Sequence, residues 1–220
     1  MRGGNLPEFS TRFSKRVNRV LSNAISVVSP SNYLKVEMNK FNKDIEIIPN
    51  PIKVDRYAFK HRKKINSHLL WLRAFHKIYN PSMAPKVLKL LVEDFPSIKL
   101  TMVGPDKGDG SFKQTISVAN QLGVKDRINF TGLVPKEDVP DWLTNGDIFI
   151  NTTNVDNTPV SVIEAVVSDK SVTVVDVGGI PYLLEDEVDA LLVPPDDPEA
   201  MAKSIARILS DSELASRLSL

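Results

Sequence analysis

NTTNVDNTPVSVIEAVVSDKSVTVVDVGGIP, residues 151–181, closes one strand, opens a helix and runs into a second strand. The first strand ends at Asn151, and Asp156 stands in the loop that follows. The helix starts at Val160 and carries Glu164; the next strand, Ser171 to Asp176, leads to the pair Gly178-Gly179. A strand, a helix of this length and another strand make a right-handed βαβ unit, the repeating piece of a parallel sheet.

The same alternation extends in both directions. Strands are expected at His68 to Arg73, Ile98 to Val103, Arg127 to Phe130, Asp147 to Asn151, Ser171 to Asp176 and Ala190 to Val193. Helices are expected at Met83 to Asp94, Phe112 to Leu122, Lys136 to Leu143, Val160 to Ser168, Ile180 to Leu184 and Pro198 to Leu209, with a last short one from Asp211. The pattern predicts an α/β chain, a Rossmann-like parallel sheet with helices on both faces. Upstream, Ile25 to Val28 reads as a strand, Ser29 to Ser31 opens an amphipathic stretch to Phe41, and Ile45 to Ile48 is a strand stopped by Pro49-Asn50-Pro51. Lys53 to Ser67 is polar and basic without a period and reads as a linker.

Composition excludes more than it selects. A length of 220 residues suits one large domain, or one domain and part of another. Hydrophobic content of 42% and charged content of 25% are those of a soluble globular chain. A net charge of +1 gives no reason to expect a nucleic-acid partner. The absence of cysteine excludes disulfides and thiolate-bound metal, and fits a reducing compartment. No apolar run reaches the roughly 20 residues of a spanning helix, and MRGGNLPEF lacks the apolar core of a signal peptide. A cytoplasmic protein is expected.

In open α/β sheets ligands bind beyond the carboxyl ends of the strands, where helix starts point at anions. The loops after Arg73, Val103, Phe130, Asn151 and Asp176 therefore line one crevice. A phosphate held near Thr158, Val160 and Ser161 would sit about 6 Å of helix axis from Glu164, which suits a carboxylate accepting from ribose hydroxyls. On spacing alone, a turn acid at Asp156 and a solvated acid at Glu164 explain the pair better. Arg73 and Lys77 follow a strand end and could grip a diphosphate, Arg bidentately and Lys as a point charge; an exposed helix-start pair is the plainer reading. His76, between them, has no second His or acid at ligand spacing, so no metal site is expected. Gly104 opens the run GPDKGDG, which lets backbone approach a ligand but matches no dinucleotide or Walker fingerprint. Thr131, in NFTG, could present backbone to a nucleobase edge. Gly178 and Gly179 could offer amides to a sugar or phosphate oxygen, or simply make a tight turn.

Five phrases in order carry a resemblance: LLWLRAFHKIYNP, KLTMVGPDKGDG, INFTGLVPKEDVPDWL, DNTPVSVIEA and VVDVGGIPYLLEDEVDALLVPPDDPEAMA. From Leu69 to Leu220 the chain resembles the donor-binding domain of family 4 retaining glycosyltransferases of GT-B fold. The resemblance implies transfer of a sugar from a nucleotide diphosphate donor, UDP or GDP, to a saccharide, lipid or small-molecule acceptor. It implies no cofactor, that Arg73 and Lys77 bind the diphosphate in place of a metal ion, that Glu164 binds the ribose, and that Asp156 lies by the transferred sugar. In the family's E-x7-E signature Asp156 replaces the first acid and is one methylene, about 1.5 Å, shorter. After Glu164 the chain runs AVVSDKSVTVV, with Asp169 and Ser171 where the family has a glycine and a proline. A lost left-handed glycine costs about 1 kcal/mol.

The resemblance also divides the chain. Residues 1–52 read as a remnant of an acceptor domain with its crossing, 53–67 as linker and 68–220 as the donor domain. About 50 residues precede the crossing, where a whole domain needs roughly 100. A second reading is therefore a non-catalytic nucleotide-sugar-binding fragment that needs a separate acceptor-domain chain; a third is an epimerase of the same fold. Lys60 to Lys64 and the cluster Arg12, Lys15, Arg16, Arg19 read as solvated faces, with peripheral membrane contact as the alternative.

Overall fold

The computed structural model describes residues 6–42, 44–57 and 65–218. The first part holds helices α1 (Leu6–Arg12), α2 (Ser14–Ser22) and α3 (Asn32–Met38) and strands β1 (Val27–Ser29) and β2 (Ile45–Ile47). The second runs β3 (His68–Leu72), α4 (Met83–Leu91), β4 (Lys99–Val103), α5 (Ser111–Gln121), β5 (Ile128–Gly132), α6 (Val139–Asn145), β6 (Ile148–Asn151), α7 (Val160–Val167), β7 (Ser171–Val175), β8 (Leu191–Val193), α8 (Pro198–Ser210) and α9 (Ser212–Arg217). Six strands pair in the order β5-β4-β3-β6-β7-β8, all parallel. Register is fixed through the centre by Leu69 opposite both Leu100 and Ile148.

Side-chain alternation builds a core on each face of this sheet. On one face Leu69, Trp71 and Ile150 pack with Val87 and Leu88 of α4 and Met201 and Ile205 of α8. On the other, Leu70, Phe149, Val172 and Val174 pack with Leu143 of α6 and Val162 and Ala165 of α7. Strands covered on both sides carry unbroken apolar runs, and every residue of β6 and β7 is buried. Each such Leu or Val contributes about 1.5–3 kcal/mol by leaving water. Asp197 and Asp211 accept hydrogen bonds from the first-turn amides of α8 and α9 and fix where those helices begin.

Several expectations need correction. Glycine 179 is followed by a single 3₁₀ turn, Ile180–Tyr182, not by an α-helix from Ile180 to Leu184. The helix expected from Lys136 starts as a 3₁₀ turn, Lys136–Asp138, and becomes helical at Val139. The first strand is Val27–Ser29, shifted from Ile25 to Val28 because Ile25 is fully exposed. Residues 6–22 form α1 and α2, which were not among the expected elements; Arg12, Lys15, Arg16 and Arg19 are exposed on them. Arg12 and Arg16 sit over the Phe13 ring at 5.3 and 5.8 Å. The linker contains a 3₁₀ turn, Val54–Arg56, while the basic run Lys60 to Lys64 lies outside the described residues.

The first part has its own small core of Val17, Met38 and Ile45 around the parallel pair β1–β2. It touches the large sheet's loops through Tyr33, whose ring lies 6.1 Å from that of Tyr182. Asp169 takes the left-handed backbone expected where the family has glycine, at φ 57. It is 2% exposed, and neither carboxylate oxygen finds a hydrogen-bond partner among the described residues.

Candidate donor site

The strand order reverses between β3 and β6: the chain moves outward from β3 to β5, then returns and proceeds from β6 to β8. Loops leaving the carboxyl ends of β3 and β6 must therefore part, and that is where a doubly wound sheet forms its crevice. Residues 73–80 and 152–159 are those two loops.

Both are bolted down. The Arg73 amide continues the ladder to the Val103 carbonyl at 3.0 Å, and the Phe75 amide reaches Pro105 at 2.8 Å. The Phe75 ring is fully buried between Trp71 and Phe112, with centroids at 5.0 and 4.8 Å. His76 then starts a 3₁₀ turn, Lys77–Tyr79, its Nδ1 accepting from the Ile78 amide at 3.3 Å. From the other side, Thr152 Oγ1 accepts from Trp71 Nε1 at 3.0 Å and donates to the Tyr79 carbonyl at 2.9 Å. The Asn154 amide donates to the Ile78 carbonyl at 2.8 Å.

On this platform Arg73 forms an ion pair with Asp156, and its guanidinium lies over the Tyr79 ring at 4.4 Å. The two side chains are 18% and 7% exposed. Burial lowers the guanidinium pKa, while Tyr79 and the Glu164 carboxylate oppose that shift; an arginine stays charged under such a load. Its Nε is buried without a hydrogen-bond acceptor. Two hydroxyls at the end of the second loop and the helix start, Thr158 Oγ1 and Ser161 Oγ, are also buried without a hydrogen-bond partner among the described residues. No side chain caps α7, and the Val162 and Ile163 amides both turn to the Pro159 carbonyl. The amides of Val160 and Ser161 are left at the helix mouth. Buried orphaned donors of this density ask for an anionic or hydroxylated guest.

Glu164, 8% exposed on α7, accepts a hydrogen bond of 2.7 Å from the phenol of Tyr57. Burial first, then the Glu164 bond and charge, push the Tyr57 pKa up, so the phenol stays protonated. Lys77 is exposed, and its backbone amide donates to Asp109 Oδ2 at 2.8 Å. Asp109 also accepts from the Ser111 amide at 3.0 Å and lies 3.7 Å from His76 Nε2. Hydrogen bonds from Ser111 and Lys77 hold its pKa down at about 2. The loop Gly104 to Gly110 thus acts as the clamp for the Lys77 turn.

The glycines have a narrower role than open anion cradles. A side chain on Gly104 would strike the Arg73 carbonyl, and the Gly104 amide already donates to Gly132 at 3.0 Å. Side chains on Gly178 and Gly179 would strike the carbonyls of Asp156 and Asn157, and the Gly179 amide is spent on Asp156 at 2.9 Å. These three glycines seat the Arg73 and Asp156 loops. Thr131 is the penultimate residue of β5, two strand spacings from β3 and so roughly 10 Å from it across the sheet; its hydroxyl donates to the Gly132 carbonyl at 3.0 Å. The structure gathers Arg73, Lys77, Asp156, Thr158, Val160, Ser161 and Glu164 at the switch point. Sequence reasoning missed Tyr57 and Tyr79. Tyr79 could have been found from the aromatic six residues past Arg73, whereas nothing local marks Tyr57, 107 positions from its partner. Among the described residues no three His, Cys, Asp or Glu side chains stand together as metal ligands.

The model of the family Glycosyl transferases group 1 matches residues 55–219. The chain belongs to that family. This group 1 glycosyl transferase chain is 27% identical over 206 residues to a putative teichuronic acid biosynthesis glycosyltransferase, TuaC, of Bacillus subtilis, covering 91% of this chain and 51% of TuaC. It is 26% identical over 112 residues to an alpha-D-kanosaminyltransferase of Streptomyces kanamyceticus, covering 50% of this chain and 29% of that protein. The chain therefore spans about half of the first of these relatives and under a third of the second. In fold it is similar to HepE of Anabaena in complex with UDP and glucose, with a TM-score of 0.86 and 17% identity over 100% of this chain and 63% of that one. The α/β architecture is that of GT-B glycosyltransferase structures. No helix among the described residues is long and apolar enough to cross a membrane.

Proposed function

We propose that the group 1 glycosyl transferase chain binds a nucleotide diphosphate sugar at the switch point and transfers the sugar to an acceptor with retention of configuration. The observation that carries this reading is that Arg73 Nε, in the loop after β3, and Thr158 Oγ1 and Ser161 Oγ, at the uncapped start of α7, are buried without a hydrogen-bond partner among the described residues. Arg73, the exposed Lys77 and the α7 amides bind the diphosphate, and Glu164 binds the ribose. Asp156, held by Arg73, lies beside the transferred sugar. As the glycosidic bond breaks, the leaving diphosphate gains negative charge, and a partly buried guanidinium stabilises it more than one in water does. The donor phosphate then helps take the acceptor proton on the same face. UDP in the HepE structures makes UDP the first donor base to try.

A second reading, donor binding without transfer until a separate acceptor-domain chain is supplied, is favoured by the first part of the chain. Its two-stranded sheet leaves a cavity of about 430 Å³ lined by Leu6, Phe9, Val20, Val28 and Met38. Calorimetry with UDP, GDP and ADP tests the shared half of both readings: one nucleotide binds, and Arg73→Ala weakens it at least about tenfold, 1.4 kcal/mol. A transfer assay with the matching nucleotide sugar then separates them. Failure of all three nucleotides to bind overturns both, and inversion at the anomeric carbon overturns the same-face chemistry.

A further inference from the structure

Tyr57 lies just past the 3₁₀ turn Val54–Arg56, in the segment joining the two parts of the chain, yet its phenol ends on α7. Its side chain packs against the second core, the one that holds Val162 and Ala165 of α7, so the hydroxyl is aimed from a fixed base. The acceptor is Glu164 Oε1 at 2.7 Å. Among the described residues this is the one side chain that hydrogen-bonds the Glu164 carboxylate. An almost fully buried carboxylate with a single donor keeps most of its accepting capacity, which is about four lone pairs. Its other oxygen, Oε2, accepts no hydrogen bond from the described residues.

Resting on the donor reading above, we infer that Tyr57 is a positioning residue for the donor nucleoside, clamping Glu164 through Oε1 so that Oε2 accepts from the ribose hydroxyls. A glutamate has three side-chain torsions, and an unclamped one swings among several rotamers. One oxygen pinned at 2.7 Å removes most of that freedom before the donor arrives, and a preorganised acceptor loses less on binding. The phenol suits the task because it can only donate to a carboxylate oxygen that has no proton of its own. It also remains a donor across the physiological range, since burial and the Glu164 charge oppose its ionisation. The specificity that follows is for ribose over deoxyribose. A ligand lacking the 2′-hydroxyl leaves a buried acceptor unmet, a loss that hydrogen-bonding sites convert into discrimination.

The test is calorimetry of paired ligands, UDP with 2′-deoxy-UDP, GDP with 2′-deoxy-GDP and ADP with 2′-deoxy-ADP, on the unaltered chain and on Tyr57→Phe. The expected result is that Tyr57→Phe weakens the ribonucleotide about tenfold and moves the ribo-to-deoxyribo ratio of Kd values toward one. A merely structural role would weaken both ligands and leave the ratio in place, so an unchanged ratio overturns the inference while the donor site stands. Tighter ribonucleotide binding by Tyr57→Phe also overturns it, because the phenol would then be a competitor for Glu164. If the unaltered chain binds none of the ribonucleotides, the donor reading and this inference fall together.

Discussion

At the scale of single residues the site is organised around one buried cation. Arg73 is held by Asp156, faces Tyr79 and feels Glu164, so each acid of the pair has a partner before any ligand enters. Removing Asp156 takes away the direct ion-pair partner of that cation and leaves it only the Tyr79 ring and the more distant Glu164 charge. Asp156→Ala is expected to lower unfolding free energy by about 3 kcal/mol, measured in urea, and the double variant with Arg73→Ala to recover part of it. Tyr57 adds a pH dependence of known sign. Its pKa is raised above the ordinary 10.0, so its contribution to stability is complete below pH 10 and is lost as pH climbs past that value. Melting followed from pH 8.5 to 11 should fall more steeply for the native chain than for Tyr57→Phe. The spacing of Asp156 and Glu164 was legible in the sequence, but their partners were not. Arg73 and Tyr57 reach them from 83 and 107 positions away, and only the closed sheet brings such groups together.

At the scale of elements, the regular alternation from His68 onward announced the strands well, because buried parallel strands write their burial as apolar runs such as LLWL and IFI. Element ends were less legible, since the residues that stop a helix act through geometry. Ile180 to Leu184 has a helical look, yet Gly179 is tied to Asp156 and the chain manages only one 3₁₀ turn. That tie has a measurable strength: Gly178→Ala meets the Asp156 carbonyl and a φ of 58. It should cost about 1–3 kcal/mol in chemical unfolding and weaken nucleotide binding with it. The end of α7 offers the opposite experiment. Asp169→Gly relieves a left-handed aspartate and removes a buried carboxylate that has no hydrogen-bond partner among the described residues, so thermal unfolding should show a gain of about 1–2 kcal/mol. Asp109, which holds the Lys77 turn, has its pKa lowered to about 2. Its contribution is present above 3.8 and lost as pH falls through 2.

At the scale of the whole molecule, two bodies of unequal strength share one chain. The large sheet has a core on each face, whereas the small one relies on Val17, Met38 and Ile45 and leaves Val20, Ile25 and Val28 exposed. Amides of β1 and β2 should therefore exchange with solvent at least about 100-fold faster than those of β3 and β6, read by hydrogen exchange and mass spectrometry. In α2, Val17, Val20 and Leu21 recur at helical spacing among charged residues, so its apolar stripe stood in the sequence although the expected elements began only at Ile25. Trp71 belongs to the strong body. Its indole is fully enclosed, yet its N–H ends on Thr152, the residue that also holds Tyr79 beside Arg73. That wiring makes the molecule its own optical gauge. Emission from so dry an indole is shifted to shorter wavelength, and with Trp142 replaced by Phe a guest that draws Arg73 or the Tyr79 turn aside should change its position or intensity, reporting occupancy of the crevice without any label.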